Sequence, residues 1–225
     1  MTQDARTAWA YKNKKNLARE IIRKGGFKTS DKPSAIFMAG LPGTGKTEFT
    51  KGLLVDVEKK PIRIDMDEIA ELIEGYSPSK ANLFRGGATV ILEKLYDVVL
   101  KQKLDFVLDG TFAHAKAINN IERALESGYI VKLYYIYQEP IIAWNFTQSR
   151  EIVEHRAIGK ENFIESYFKL WKNLEILQKE HKHVTISVIV KNELNEEGKR
   201  FEDVDNIFKC IPDKLVESKL ENDII

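Results

Sequence analysis

The stretch that most constrains this chain is Ser34 to Thr50, SAIFMAGLPGTGKTEFT. Ala35, Ile36, Phe37, Met38 and Ala39 form a short apolar run, the pattern of a strand buried in a parallel sheet. It passes directly into Gly40-Leu41-Pro42-Gly43-Thr44-Gly45-Lys46-Thr47, which satisfies G-x-x-x-x-G-K-S/T, and a helical pattern follows. Strand, loop and helix in that order are the context in which this spacing acts as a phosphate-binding loop. Glycines at 40, 43 and 45 allow consecutive backbone N–H groups to turn inward, and the helix after Gly45 directs its positive end at a bound anion. Lys46 is then the candidate cation for the β- and γ-phosphates of a bound nucleotide, and the Thr47 hydroxyl the candidate Mg²⁺ ligand. A glycine-rich turn that matches by chance is the competing reading, and the flanking elements weigh against it.

The remaining pattern alternates strands with helices, as an open parallel sheet requires. A helix is expected over residues 4–24, ended by Gly25-Gly26 and packed on the sheet. Further helices are expected over 46–58, Ser79 to Lys101 and 115–127, with mostly helical chain from Glu139 to Lys179. Strands are expected at Ile62-Arg63-Ile64, Leu104 to Leu108, Tyr129 to Tyr137 and Val184 to Val190, making five with the first. Gly86-Gly87 within the long helix predicts a kink or a close approach to a ligand. Beyond Val190 the chain turns polar, with one helix over Val204 to Lys209 and a loose tail from Asp213. The expected division is a helical segment at 1–33, a core at 34–190 with a lid around 139–162, and a polar extension at 191–225. The fold class is α/β: a three-layer sandwich of the P-loop kinase kind with a mainly parallel five-stranded sheet and a helical lid.

Charge and composition narrow the partners. Lysines and arginines number 35 against 34 acids, a net charge of +1, so no general basic field exists to hold a long nucleic acid. One cysteine, Cys210, excludes an intrachain disulfide and a cysteine-rich zinc site, and the four histidines lack metal-ligand spacing. With no apolar run of membrane-spanning length and no signal-like start, a cytoplasmic location is expected.

Acids at strand ends supply the remaining chemistry. In open parallel sheets, side chains just past the carboxyl ends of strands line the ligand crevice. Asp65 and Asp67 follow the second strand, and Asp67 serves equally well as a catalytic base or as the cap of the helix behind it. Asp109 ends the third strand ahead of Gly110-Thr111, the form of an acid that holds Mg²⁺ beside a phosphate loop, although Asp-Gly is also an ordinary turn. Arg150 and Arg156 lie six residues apart, about 120° out of phase on one unbroken helix, so they converge on a phosphoryl group only if the chain bends near Gly159. Together these residues are the inventory of a small kinase. Its loose transition state asks mainly for positioning and electrostatic stabilisation.

The Pro33 to Thr47 segment, Asp65-Met66-Asp67, Leu108-Asp109-Gly110-Thr111, Arg150, and Arg156 ahead of Phe163 together resemble the zeta toxin family of bacterial P-loop kinases. The resemblance implies that Lys46 and Thr47 bind ATP–Mg²⁺ and that Asp67 activates an acceptor hydroxyl. It further implies that Asp109 and Thr111 contact metal or acceptor and that Arg150 and Arg156 clamp phosphates. It points to UDP-N-acetylglucosamine as acceptor and to an antitoxin as partner. This chain departs from the family's Glu-Gly-Thr-Gly-Arg with Asp109-Gly110-Thr111-Phe112-Ala113, lacking an arginine that would serve the substrate, and its two late arginines are more closely spaced. The alternatives are a kinase for another hydroxyl (an antibiotic, a small sugar or a polynucleotide 5′ end) and an inactive nucleotide-binding regulator. A GTPase would need Asn-Lys-x-Asp after the fourth strand and an ABC-type ATPase Ser-Gly-Gly-Gln; the chain carries neither.

Overall fold

A computed structural model describes residues 2–55, 57–154 and 158–224, with the backbone alone at 150–154. Helix α1 (Gln3–Gly25) starts at Thr2, whose hydroxyl accepts from Ala5 N at 3.3 Å, and stops where Gly26 takes φ 64°. Strand β1 (Ser34–Ala39) and helix α2 (Lys46–Leu53) flank the glycine-rich loop. Then follow β2 (Ile62–Asp65), α3 (Met66–Glu71), a 3-10 stretch (Pro78–Phe84), α4 (Arg85–Gln102), β3 (Phe106–Asp109), α5 (Ala117–Glu126) and β4 (Ile130–Tyr137). Helices α6 (Pro140–Glu154) and α7 (Lys160–Glu180), strands β5 (Thr185–Lys191) and β6 (Glu197–Phe201), a 3-10 turn (Ile207–Lys209) and α8 (Glu217–Asp223) complete the chain.

The sheet order is β2-β3-β1-β4-β5-β6, parallel except that β6 runs antiparallel to β5. The chain leaves β1 toward β3 and β2 on one side and later fills β4 and β5 on the other. The crevice beyond the tip of β1 is therefore a topological switch point. Alternation along the strands serves two helical layers. Ala35, Phe37 and Ala39 join the main core with α4, α5 and α7, while Met38 packs with Val107, Tyr134, Ile136 and Ile189 on the α2 face. Aromatic edges tighten the main core: Phe106 meets Phe37 and Tyr96 with ring centroids 5.7 and 5.4 Å apart.

The α/β class is as expected, but the sheet has six strands rather than five. Strand β6 reads EGKRF, with four of its five positions exposed, so it carries no apolar alternation and joins the sheet through backbone hydrogen bonds to β5. Its charged side chains also suit an outer edge. The long helix expected from Ser79 is likewise divided, its first part winding as 3-10 before α4 begins at Arg85. Gly87 is explained by packing rather than by a ligand: a β-carbon there would lie 3.0 Å from Ile73 Cδ1 and 3.4 Å from Ala10 Cβ, where α1 crosses. The expected loose tail is tied down. Ile207, Ile211, Leu220 and Ile224 are buried, Lys160 Nζ donates to the Ile224 carbonyl at 2.5 Å, and Leu215 N donates to Tyr167 Oη at 2.8 Å. The helix expected over Val204 to Lys209 shrinks to the single 3-10 turn. Among the described residues, no helix is long and apolar enough to cross a membrane.

Candidate active site

The phosphate loop is held from three sides. Gly40 N donates to Thr111 O at 3.2 Å, which fastens the loop to the turn after β3. Gly40 also lies close to β4, since a β-carbon there would stand 2.5 Å from Ile136 O. On the other flank, Gly43 presses against α6: at φ 81°, a β-carbon would sit 2.0 Å from Ala143 O and 2.6 Å from Thr147 Oγ1. Glycine there meets a steric need as well as a conformational one. The Leu41 carbonyl gathers the interior of the loop, accepting from Lys46 Nζ at 2.6 Å and from the buried Thr44 hydroxyl at 3.0 Å. Gly45, at φ 77°, precedes α2 with no side-chain cap. The first N–H groups of α2 thus have no capping side chain and lie at the positive end of the helix.

This cradle fits a nucleotide polyphosphate: a backbone path that only glycines follow, an uncapped helix start, and an ammonium folded over the loop. Pro42 and Thr47 are half-buried at its rim. Among the described residues, no group of three or more histidine, cysteine, aspartate or glutamate side chains is placed to hold a metal ion. A Mg²⁺ ion held here would therefore rely on phosphate oxygens and a hydroxyl such as that of Thr47, in keeping with the cation's habit of retaining water and few protein ligands.

Next to the loop, β3 and β2 carry the acids. Asp65 and Asp109 are register partners across β2 and β3. With strands about 5 Å apart, Asp109 stands one strand from β1 and Asp65 two. Arg63 binds both. Its guanidinium donates to Asp109 Oδ2 through Nε at 3.0 Å and an Nη at 2.7 Å, to Asp65 Oδ2 at 2.6 Å, and to Glu68 Oε1. The Asp109 side chain is only 4% exposed, so without this cation its charge would be buried alone. Burial pushes the Asp65 carboxyl up to about 6; Arg63 opposes the shift and Asp109 adds to it. For Arg63, burial works against the charge, but the hydrogen bond and charge of Asp109, with Asp65 and Glu68 behind them, hold its pKa above the usual value.

The two readings of Asp67 separate here. Asp65 caps α3, its Oδ1 accepting from Asp67 N at 2.7 Å and Glu68 N at 3.4 Å, so capping does not fall to Asp67. Asp67 sits in the first helical turn with an exposed side chain. The Thr111 hydroxyl accepts from Ala113 N at 3.3 Å within its own turn. Arg150 lies in the third turn of α6, and Arg156 lies outside the described residues. Helix α6 ends at Glu154 and α7 starts at Lys160, and the expected convergence of the two arginines lies outside the described residues. At the departure from the family pattern, Phe112 adopts φ 61°, the region glycine favours, with its ring buried and its carbonyl accepting from Asn173 Nδ2 at 2.8 Å.

Arg63 escaped sequence reading. Its signal was a cation in mid-strand, two residues before Asp65 and so on the same face of β2, while Ile62 and Ile64 are buried on the other.

Comparison with known proteins identifies the lineage. The zeta toxin family model matches residues 18–199, more than three-quarters of the chain. The chain belongs to the zeta toxin family. As a member it is an ATP-dependent phosphotransferase. A similar sequence is an uncharacterized protein of Haemophilus influenzae, 29% identical over 102 residues, which are 45% of this chain and 69% of that protein. Among solved structures, a chain of the PezAT chromosomal toxin-antitoxin system of Streptococcus pneumoniae superposes with a TM-score of 0.65 at 17% identity, over 97% of this chain and 88% of that one. A chain of the AvrRxo1-ORF1:-ORF2 complex follows at 0.56 and 14% identity, over 89% of this chain and 63% of that one. At these identities the likeness is one of fold.

Proposed function

We propose that this zeta toxin family member transfers the γ-phosphoryl group of ATP to a hydroxyl of a UDP-activated amino sugar. The observation that carries this reading is the pairing of a glycine-walled phosphate loop on β1 with carboxylates at the tips of β3 and β2. About 10 Å of lateral space, two strand spacings, separates the loop's strand from that of Asp65. The crevice over these strand tips is where we seat an acceptor beside the triphosphate.

The roles divide by position. Lys46 and the loop amides neutralise phosphate charge, and Thr47 would hold Mg²⁺ together with Asp109 from the tip of the neighbouring strand β3. A bound Mg²⁺ would offset charge on the phosphate oxygens. Asp67, exposed and relieved of capping, accepts or orients the acceptor proton. Arg63 fixes Asp109 through two hydrogen bonds to Oδ2. Thr111 helps seat the acceptor through the turn that also holds Gly40, and Arg150 with Arg156 stabilises the transferring group. The PezAT structure belongs to a toxin-antitoxin system, which supports a toxin role and an antitoxin partner for this chain.

A different hydroxyl acceptor is the second reading, and one observation favours it. Where the family pattern places an arginine this chain has Ala113, and the preceding Phe112 turns its ring into the core. Mass spectrometry of a metabolite extract incubated with the protein and Mg²⁺-ATP tests both. A UDP-amino sugar that gains one phosphate supports the first reading, and another alcohol gaining it supports the second. No phosphorylated product above a Lys46→Ala control overturns both.

A further inference from the structure

The turn joining β5 to β6 reaches back to the phosphate loop from the far side of β4. Gln138 follows directly on the end of β4, where Asp65 and Asp109 end β2 and β3, and it is 2% exposed. Its Nε2 donates to Asn192 O at 2.7 Å and to Asn195 Oδ1 at 3.3 Å. Asn195, at φ 61°, donates from Nδ2 to Gly43 O at 3.0 Å. A continuous relay therefore runs from the tip of β4 through Asn195 to the middle of the phosphate loop. The turn itself is braced, with Asn192 Oδ1 accepting from Leu194 N at 3.0 Å and Glu196 N at 2.9 Å. Lys191, the last residue of β5, lies against the start of α2: a β-carbon on Gly45 would be 3.5 Å from both its Cε and its Nζ. Among the described residues its ammonium has no carboxylate partner within ion-pair distance.

We propose that this turn is a working part of the nucleotide site: Asn195 is a positioning residue for Gly43, and Lys191 is a second cation for the polyphosphate. The proposal rests on the reading of the loop as the ATP site. Asn195 fixes the Gly43 carbonyl and with it the plane of the following peptide, whose Thr44 N–H lies inside the loop and donates to Leu41 O at 3.4 Å. Lys191 then adds positive charge beside Gly45, where the loop's amides and the start of α2 already favour phosphate.

The test is calorimetric titration of the full chain with Mg²⁺-ATP and, separately, with adenosine, at two salt concentrations, beside melting curves without ligand. Lys191→Ala is expected to weaken ATP binding about tenfold, to flatten its salt dependence and to leave adenosine binding unchanged, with Lys191→Arg restoring most of the loss. Asn195→Ala is expected to weaken ATP binding by a similar factor, and Asn195→Asp by more, because it removes the donor and sets a negative charge beside the phosphates. Lys191→Met, which keeps the apolar stem, replaces the alanine variant if that one melts early. Binding by Lys191→Ala or Lys191→Met within twofold of wild type overturns the role of Lys191. Asn195→Asp binding ATP as wild type overturns that of Asn195. Wild-type protein that binds no ATP overturns the ATP-site reading and this proposal with it. Where wild type binds ATP and Lys46→Ala does not, the ATP site stands, and the Lys191 and Asn195 variants alone decide the role of the turn.

Discussion

The two halves of the crevice are built on opposite plans. On β1, the binding surface is backbone: eight consecutive residues, Gly40 to Thr47, present amides and one ammonium, and their neighbours act by constraining where the backbone runs. On β2 and β3, the working groups are side-chain charges from positions 46 residues apart, brought together by strand register and tied by one half-buried guanidinium. A contiguous backbone device does its chemistry with groups every residue owns, so its damage appears mainly in binding. A charge cluster assembled from distant positions doubles as part of the core, so its damage appears in folding as well.

That contrast can be broken by substitution. The largest effect is expected from Lys46→Ala, which removes the loop's only side-chain cation and should abolish detectable phosphoryl transfer while leaving the melting temperature near wild type. Retained turnover would show that the loop is not the catalytic half. Next, Asp67→Asn should lower the transfer rate by roughly 10²–10⁴ with ATP affinity little changed, read by single-turnover kinetics against titration. Arg63→Met, in contrast, should cost about 3–5 kcal/mol of stability by chemical denaturation, because Asp109 then keeps a buried charge without its cation. If Arg63→Met unfolds at the wild-type denaturant concentration, the acid cluster is not structural and the contrast fails.

The smallest effect sharpens the comparison through pH. The folded protein holds the Asp65 proton more tightly than the unfolded chain does, with a pKa of about 6 against an ordinary 3.8. The associated stability is therefore fully present below pH 3.8 and is lost as pH rises through 6, amounting to at most about 3 kcal/mol. Asp65→Asn, which keeps an oxygen to cap α3, should remove that fall from a denaturation series across this range. An unchanged slope would place the titration elsewhere.

How much of this was legible follows from the same contrast. The loop was readable because its physics is local: glycine spacing, a lysine and a following helix are all sequence-adjacent. Asp67 and Asp109 were readable as residues past strand ends. Arg63 was not, since only register reveals that it faces Asp109. Strand β6 was hidden by its charged composition, and residues beyond Asp213 read as loose because Leu220 and Ile224 are too few and too spaced to announce a buried face. The double glycine at 86 and 87, expected to mark a kink or a ligand's approach, lies where α1 packs against α4 just after the 3-10 stretch ends.

The contact of Gly43 with Ala143 and Thr147 has a mechanical consequence. Helix α6 rests its first two turns on the loop, and Arg150 follows Thr147 about 4.5 Å further along the axis. A stiff rod seated in this way cannot tilt at its distal end without shifting its footing, so cargo held in the cradle and the angle of the arm above it are geared together.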